Sequence, residues 1–373
     1  MINKKFKSIG LTFLLIFSLL SCKNSHNPQQ LLKPYFNKNE YKELLLISIR
    51  TTNLKKYYSK FPLPENYKLV YQSKEIGLAN LWQLWINKKQ PIAVISVRGT
   101  IRKTESALSN FYAAMVPAKG KLKLSDKFIF KYELAPDTNA AVHVGWLIST
   151  AFLSREIVPK IDSLYKTGIK NFFIIGHSQG GAISYLLTAY LYSLQKNGKL
   201  PQDIRFKTYC SAPPKPGNIR FAYYYETITK GGWSCTVVSA ADWVPEVPIT
   251  IQTLRDLNSS NPFSNLDKEI DKLNFPKRLI AKYLYNRIKN PPEDAEERFE
   301  DYLGKKLEEQ IQKYIKGYTP PENYFHSFDY VRTGNQTVLY PDKNYYKKFP
   351  KNTKDMLLHH NYDAYLFLIN NNF

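Results

Sequence analysis

The sequence predicts an α/β protein: a mostly parallel β-sheet flanked by helices and interrupted in its C-terminal third by a helical insertion. Two observations carry that prediction. Apolar runs of strand length alternate with helix-like segments from residue 67 to about 240, the order that builds βαβ units. The alternation then stops, and from about 250 to 321 there is no apolar strand, only segments rich in Lys, Glu and Leu. Composition supports a folded chain. Over 373 residues, 43% are hydrophobic and 14% aromatic, which allows a sizeable core and excludes a disordered or collagen-like protein.

The first element is not part of that fold. Lys4, Lys5 and Lys7 precede an apolar run at 9–20, which has signal-peptide length and is too short to span a bilayer. It ends in Leu19-Leu20-Ser21-Cys22, which resembles a bacterial lipobox. That resemblance implies removal of residues 1–21 and lipidation of Cys22, stable as an anchor when several acyl chains are attached. Residues 22–38 are polar, contain two prolines and read as a tether. The expected location is the bacterial cell envelope, with the chain lipid-anchored on the periplasmic side or at the cell surface.

Residues 41–50 carry Leu44, Leu45, Leu46, Ile47 and Ile49 and predict a short packed helix. Strands are expected at 67–73 and 81–87, the second alternating through Trp82, Leu84 and Ile86. The β-branched run 91–97 (PIAVISV) suits a strand buried on both faces. A helix follows at 142–164, with a kink at Pro159. Then come a buried strand at 171–175 (NFFII), a helix at 179–195 with Leu186, Leu187, Tyr190 and Leu191 at core spacing, and short strands at 206–209 and 236–239. Two amphipathic helices are expected at 268–290 and 295–316, separated by Pro291-Pro292. Strand-like alternation returns at 328–340, and 355–369 is a final helix. The core is thus 39–250 plus 322–373, with the insertion at 251–321.

The formal charge is +22, and +19 remains once Lys4, Lys5 and Lys7 are set aside. The lysines are scattered among Asn and Tyr with no dense arm and no zinc-finger or RNP-like motif, which argues against nucleic acid as a partner. Besides Cys22 the chain has Cys210, at the end of one predicted strand, and Cys235, at the start of another. In a parallel sheet those ends lie at opposite edges, so two buried free thiols are expected rather than a disulfide.

The candidate site is Gly176-His177-Ser178-Gln179-Gly180, a G-x-S-x-G pattern directly after NFFII and directly before a helix with Gly181 and Ala182 in its first turn. Strand, sharp turn and helix in that order make a nucleophile elbow with Ser178 at its tip. Gly176 and Gly180 let strand and helix approach, and the helix N-terminus favours negative charge on a substrate oxygen. A serine nucleophile needs a base, and the base an orienting acid, in the chain order Ser, Asp or Glu, His. Asp242 follows the strand CTVVSAA at the carboxyl edge, where α/β sheets place their sites, in a loop fixed by Val244, Pro245 and Pro248. His26 lies in the tether, His143 precedes Ser178, and His177 is adjacent to the nucleophile and points away from it. His326, His359 and His360 remain as bases.

With these residues in view, the chain resembles the class 3 lipase family, the fungal-lipase-like α/β-hydrolases. VISVRGT (94–100) is similar to the oxyanion strand, VHVGW (142–146) to the helix start that follows, and IIGHSQGGAIS (174–184) to the elbow. TYCSAPPKPGN (208–218) resembles the family's P-x-x-G-N stretch, VVSAADWVPEVP (237–248) the acid loop, and HNYDAYL (360–366) the terminal His followed by Tyr-Leu. The resemblance covers about 90–250 and 320–370. It implies an α/β-hydrolase fold and a carboxylic-ester hydrolase with Ser178 as nucleophile, Asp242 as orienter and His360 as base. Thr100 and the backbone N–H of Gln179 would form the oxyanion hole, and Arg98 would be a structural ion-pair partner. No metal or cofactor is required, and the expected substrate is an ester with a lipid-like acyl group. Residues 101–120 sit where fungal-type lipases carry a lid. The insertion, large for the family, either caps the site and shapes an acyl pocket or is a solvated helical decoration or partner surface. The other readings are an inactive hydrolase-fold lipoprotein that binds lipid or another ligand, and a basic lipoprotein that binds anionic envelope polymer.

Overall fold

The β-branched runs build the centre of the protein. A computed structural model describes residues 31–258 and 260–371. Residues 34–373 make up one body; the expected signal peptide, Cys22 and tether residues up to 30 lie outside the described residues. The elements begin with α1 (Lys38–Thr51), the single turn α2 (Lys55–Tyr58), β1 (Tyr67–Gln72), β2 (Trp82–Asn87) and β3 (Ile92–Val97). Next come α3 (Thr104–Phe111), β4 (Met115–Pro117), β5 (Lys119–Ser125), β6 (Phe128–Glu133), β7 (Ala141–His143) and α4 (Val144–Lys166). The central run is β8 (Asn171–His177), α5 (Gln179–Lys196), β9 (Arg205–Ser211), β10 (Gly217–Asn218), α6 (Ile219–Ile228) and β11 (Ser234–Ser239). The insertion supplies α7 (Leu266–Asp271), α8 (Lys277–Leu303) and α9 (Glu308–Tyr314). The chain closes with β12 (Tyr330–Val331), β13 (Asn335–Leu339), α10 (Lys343–Lys348) and α11 (Tyr362–Asn371).

Seven strands form the main sheet in the order β1-β2-β3-β8-β9-β11-β13. From β3 to β13 all neighbours are parallel, and β1 and β2 add an antiparallel edge. Every residue of β3 and β11 is buried, as two helix-covered faces require. Adjacent β9 residues show the two layers: Thr208 bonds Thr188 of α5 at 2.7 Å, while Tyr209 packs on Tyr41 of α1. This is the α/β-hydrolase architecture. The same register corrects the reason given for free cysteines. Cys235 aligns with Tyr209, and Cys210 with Thr236, on neighbouring strands rather than at opposite edges. One step of register turns the two thiols to opposite faces, and both are free and buried.

Several elements differ from the sequence expectation. Residues 141–143 pair as β7 in a second sheet, β12-β10-β7-β4, and the helix starts at Val144, with Pro159 inside it. The hairpin β5-β6 was not expected, although it alternates Lys with apolar residues in the pattern of a strand with one buried face. Pro291-Pro292 does not separate two helices: α8 runs through both prolines. The carbonyls of Arg287 and Ile288, which lose their i+4 donors, belong to exposed residues where water can take them. The alternation at 328–340 divides at a turn with Gly334 at φ +80, so β12 joins the second sheet and β13 the first. Finally, 355–361 is a chain of turns, and α11 starts only at Tyr362, which leaves His359 and His360 on the turns before the helix. No helix among the described residues is long and apolar enough to cross a membrane.

Candidate active site

Ser178 occupies the turn between β8 and α5 with φ 61 and ψ −132, a strained conformation for a residue with a Cβ. Its N–H donates to Ser211 O at 2.9 Å, and its carbonyl accepts from Gly181 N–H at 2.8 Å. The turn is this tight because its flanks are bare. A Cβ on Gly176 would run into the Gly180 carbonyl, and one on Gly180 into the Val97 carbonyl of β3. Ser178 also ends β8 as the cap of α5, so Gln179 N–H sits in the first turn, where backbone donors have no intrahelical acceptor.

Of the three histidines left open by position alone, His360 is the one joined to Asp242. Its Nδ1–H donates to Asp242 Oδ2 at 2.8 Å. Asp242 is 3% exposed and His360 7%. The carboxylate also accepts from Tyr365 O–H at 2.8 Å on Oδ2 and from Val244 N–H at 3.0 Å on Oδ1. Tyr365 O in turn accepts from Ser239 N–H at 3.1 Å, so the end of β11 and the start of α11 hold Asp242 together. His360 Nε2 is buried and has no hydrogen-bond partner. It is not bonded to Ser178, but both residues line one cavity. His359 is occupied by Tyr345 O at 2.7 Å, and His326 by Glu300 at 2.7 Å.

His177 turns away from Ser178 and supports His360. Its Nε2–H donates to the His360 carbonyl at 2.8 Å, and its Nδ1 accepts from Ser211 O–H at 2.9 Å. Ser211 accepts from Tyr41 O–H of α1 at 2.7 Å. Burial, then the neighbouring His360, hold His177 well below the usual imidazole range, so the neutral tautomer that this relay needs is the one present.

The oxyanion candidates meet at a residue that sequence reasoning passed over. Asn110, at the end of α3, donates from Nδ2 to Thr100 Oγ1 at 2.9 Å. Its Oδ1 accepts from Gln179 Nε2 at 2.8 Å and from Trp146 Nε1 at 3.0 Å. Its carbonyl accepts from His143 Nε2–H at 3.0 Å. His143 is stacked on Trp146 with ring centroids 3.7 Å apart, and burial pushes it down to about 3. α3 lies in the segment expected to resemble a lid, and these bonds, with Ser109 to Ser149 at 2.9 Å, fasten it to α4 and α5. Phe111 is its exposed apolar residue at the cavity. Arg98 pairs with Glu75 at 2.8 Å and donates to the Ala79 carbonyl, which makes it structural.

The cavity over Ser178 measures about 900 Å³. The core contributes Ile101, Trp243, Val247 and Leu357 to its wall, and α8 contributes Phe299 and Leu303. Phe299 packs edge-on against Phe328 at 5.6 Å, and the Leu303 carbonyl accepts from Ala114 N–H at 3.1 Å. The insertion therefore forms part of the wall around the candidate nucleophile. Among the described residues, no group of three or more His, Cys, Asp or Glu is placed to hold a metal.

Residues 94–252 match the model of the class 3 lipases. That match marks the stretch as lipase-like and supports a carboxylic ester hydrolase. The matched stretch contains Thr100, Ser178, Gln179 and Asp242; His360 and α8 lie beyond it. Among solved structures the chain is similar to the Rhizomucor miehei lipase–propeptide complex, at 19% identity over 58% of this chain and 66% of that one, with a TM-score of 0.42. It is similar to lipase II from Rhizopus niveus at 23% identity, over 57% of this chain and 75% of that one, with a TM-score of 0.41. The lipase from Rhizopus microsporus var. chinensis gives 19%, 60% and 75%, with a TM-score of 0.41. No curated protein matches this chain in sequence.

Proposed function

We propose that this chain is a class 3 lipase that hydrolyses esters of lipid-like acyl groups, with Ser178 as nucleophile, His360 as base and Asp242 as orienter. The observation that carries the reading is the Asp242–His360 pair at 2.8 Å, with the unpartnered Nε2 of that histidine lining the same cavity as a serine at φ 61. Ser178 Oγ attacks the ester carbonyl carbon while His360 Nε2 takes its proton. The negative oxygen of the tetrahedral species is met by Gln179 N–H and by the N–H and O–H of Thr100. Collapse breaks the bond to the alcohol, which leaves with the proton from His360. Water then repeats the sequence on the acyl-enzyme and regenerates Ser178. Asp242 keeps the proton of the neutral imidazole on Nδ1 and stabilises the imidazolium. The apolar wall suits an acyl chain. Anchoring through lipidated Cys22, in the bacterial cell envelope, would hold the site near such esters.

Fluorophosphonate labelling of the purified protein tests the chemistry. Labelling is expected to vanish in Ser178→Ala and to collapse in His360→Ala. Folded wild-type protein that takes no label would refute the reading and favour a protein that binds lipid without turnover. Metabolic labelling with an alkyne fatty acid tests the anchor, since the label should disappear in Cys22→Ala.

A further inference from the structure

The cavity over Ser178 has apolar walls, yet two of its lining side chains carry a permanent charge, and both are arginines. No aspartate or glutamate lines it among the described residues. Arg98 is committed, held by Glu75 and the Ala79 carbonyl. Arg298, on α8, is not. It is exposed, and among the described residues no carboxylate lies within 4.0 Å of its guanidinium, although Asp294 precedes it by one helical turn.

Its place on the helix gives it a direction of use. Residues four apart share a helix face. Phe299 and Leu303 are half-buried in the wall, whereas Arg298 and Tyr302 are exposed and line the same cavity at its solvent side. The remaining face is fixed by Glu296 to Arg255 at 3.2 Å and by Glu300 to His326 at 2.7 Å. The cation is thus carried on a fastened element, beside apolar side chains suited to an acyl chain. A guanidinium presents a planar set of donors that fits a phosphate or carboxylate in two-point contact.

We propose that Arg298 selects esters whose head group carries an anion, so that the preferred substrate is an acyl ester of an acidic lipid rather than a neutral glyceride. This rests on the reading of Ser178 as the nucleophile. The acyl chain lies along Phe299 and Leu303, the scissile carbonyl sits at Ser178, and the anion on the alcohol side meets Arg298.

The test uses monomeric hexanoyl esters below their critical micelle concentration, so that no lipid surface enters the comparison. Dihexanoyl phosphatidylglycerol, a hexanoyl ester bearing a carboxylate, and neutral dihexanoylglycerol are compared by kcat/KM in wild type, Arg298→Gln, Arg298→Lys and Arg298→Glu. Wild type is expected to prefer an anionic ester, and Arg298→Gln to lower the anionic-to-neutral ratio by roughly fivefold, the size of an exposed but oriented charge pair. Arg298→Lys should restore part of the ratio and Arg298→Glu should invert it. The preference should shrink as salt is raised. Preference for the phosphodiester alone, or for both acids, identifies which anion is read. An unchanged ratio in Arg298→Gln, or wild type that favours the neutral ester, overturns the inference. Fluorophosphonate labelling of the same samples separates that failure from a dead nucleophile, since the ratio is meaningful only where Ser178 labels, and absence of label overturns both readings.

Discussion

Asn110→Asp separates the chemistry of the oxyanion region from its architecture. The side chain of Asn110 makes three bonds, donating once to Thr100 and accepting from Gln179 and Trp146. Aspartate keeps the two acceptor positions and replaces the donor with a second oxygen facing Thr100 Oγ1. The threonine hydroxyl must then donate its one proton to that carboxylate and is lost to the substrate oxygen. A single oxyanion donor is worth about 2.7–4 kcal/mol, or roughly 10²–10³ in kcat. Thr100 is exposed, so the lower end applies and kcat on p-nitrophenyl butyrate should fall about a hundredfold, with little change in KM. Both buried-side acceptors survive, so the thermal midpoint should stay close to wild type. Asn110→Ala is the contrast: it strands Trp146 Nε1 at a cost of about 1–3 kcal/mol and lowers the midpoint. Thr100→Val should reproduce the kinetic loss, and adding Asn110→Asp to it should cost little more, because both remove one donor. A stable Asn110→Asp protein with kcat within threefold of wild type would refute the argument.

Tyr365→Phe removes one of three donors to Asp242 and strands the buried Ser239 N–H, so unfolding by urea should show a loss of about 1–3 kcal/mol together with a fall in kcat. Unchanged stability would mean that the Tyr365 bonds contribute nothing. Gly176→Ala puts a methyl group against the Gly180 carbonyl and should yield no soluble folded protein; a folded, labelled variant would show that strand and helix can separate there. Stability should fall with acid. His143, pushed to about 3 from 6.5, and His177, lowered well below 6.5, are neutral when folded and take up protons when unfolded. Their contribution is full above the unfolded value and is lost as pH falls below about 6.5, at about 1.4 kcal/mol per pH unit for each histidine. A urea midpoint that does not move between pH 7 and 5 would contradict this.

The sheet was legible where burial dictates composition. PIAVISV and NFFII can be little else than central strands, and the glycines around Ser178 announce a turn that nothing larger could make. Legibility failed where the deciding partner is remote. β4 and β7 are three-residue strands defined by pairing across the second sheet, and no local pattern distinguishes 141–143 from the helix that follows. Pro291-Pro292 carries a local signal to stop a helix, and an exposed turn overrides it. The site divides in the same way. Ser178 and Asp242 are marked by their neighbours in sequence, whereas the choice among three histidines depends on a contact between residues 242 and 360. Asn110 has no local mark at all; its hydrogen bonds to residues 100, 146 and 179, with His143 on its carbonyl, exist only in the folded chain. The one available hint was His143 and Trp146 three apart at a helix start, a pairing that places two ring donors on one side.

The insertion interrupts the chain between Asp242 and His360, yet their pair closes at 2.8 Å. The base of the insertion explains how. Ile251 N–H donates to the Phe328 carbonyl at 3.0 Å, and Thr250 O–H donates to the Tyr330 carbonyl at 2.6 Å, so the excursion ends beside the point where it began. Closing such a loop costs entropy that grows only slowly with its length, and the core on either side is asked for no adjustment. What lies beyond that closure is free to change without moving Asp242 or His360. α8 uses the freedom to return to the cavity, bringing Phe299 and Leu303 into its wall and Arg298 to its solvent side. The Asp242–His360 pair and the element that adds this wall are therefore separate along the chain, joined at the site through the Ala114 N–H to Leu303 carbonyl bond. Changes in α8 should alter which ester is accepted, while changes at Asn110, Tyr365 or His177 should alter how fast any ester is turned over.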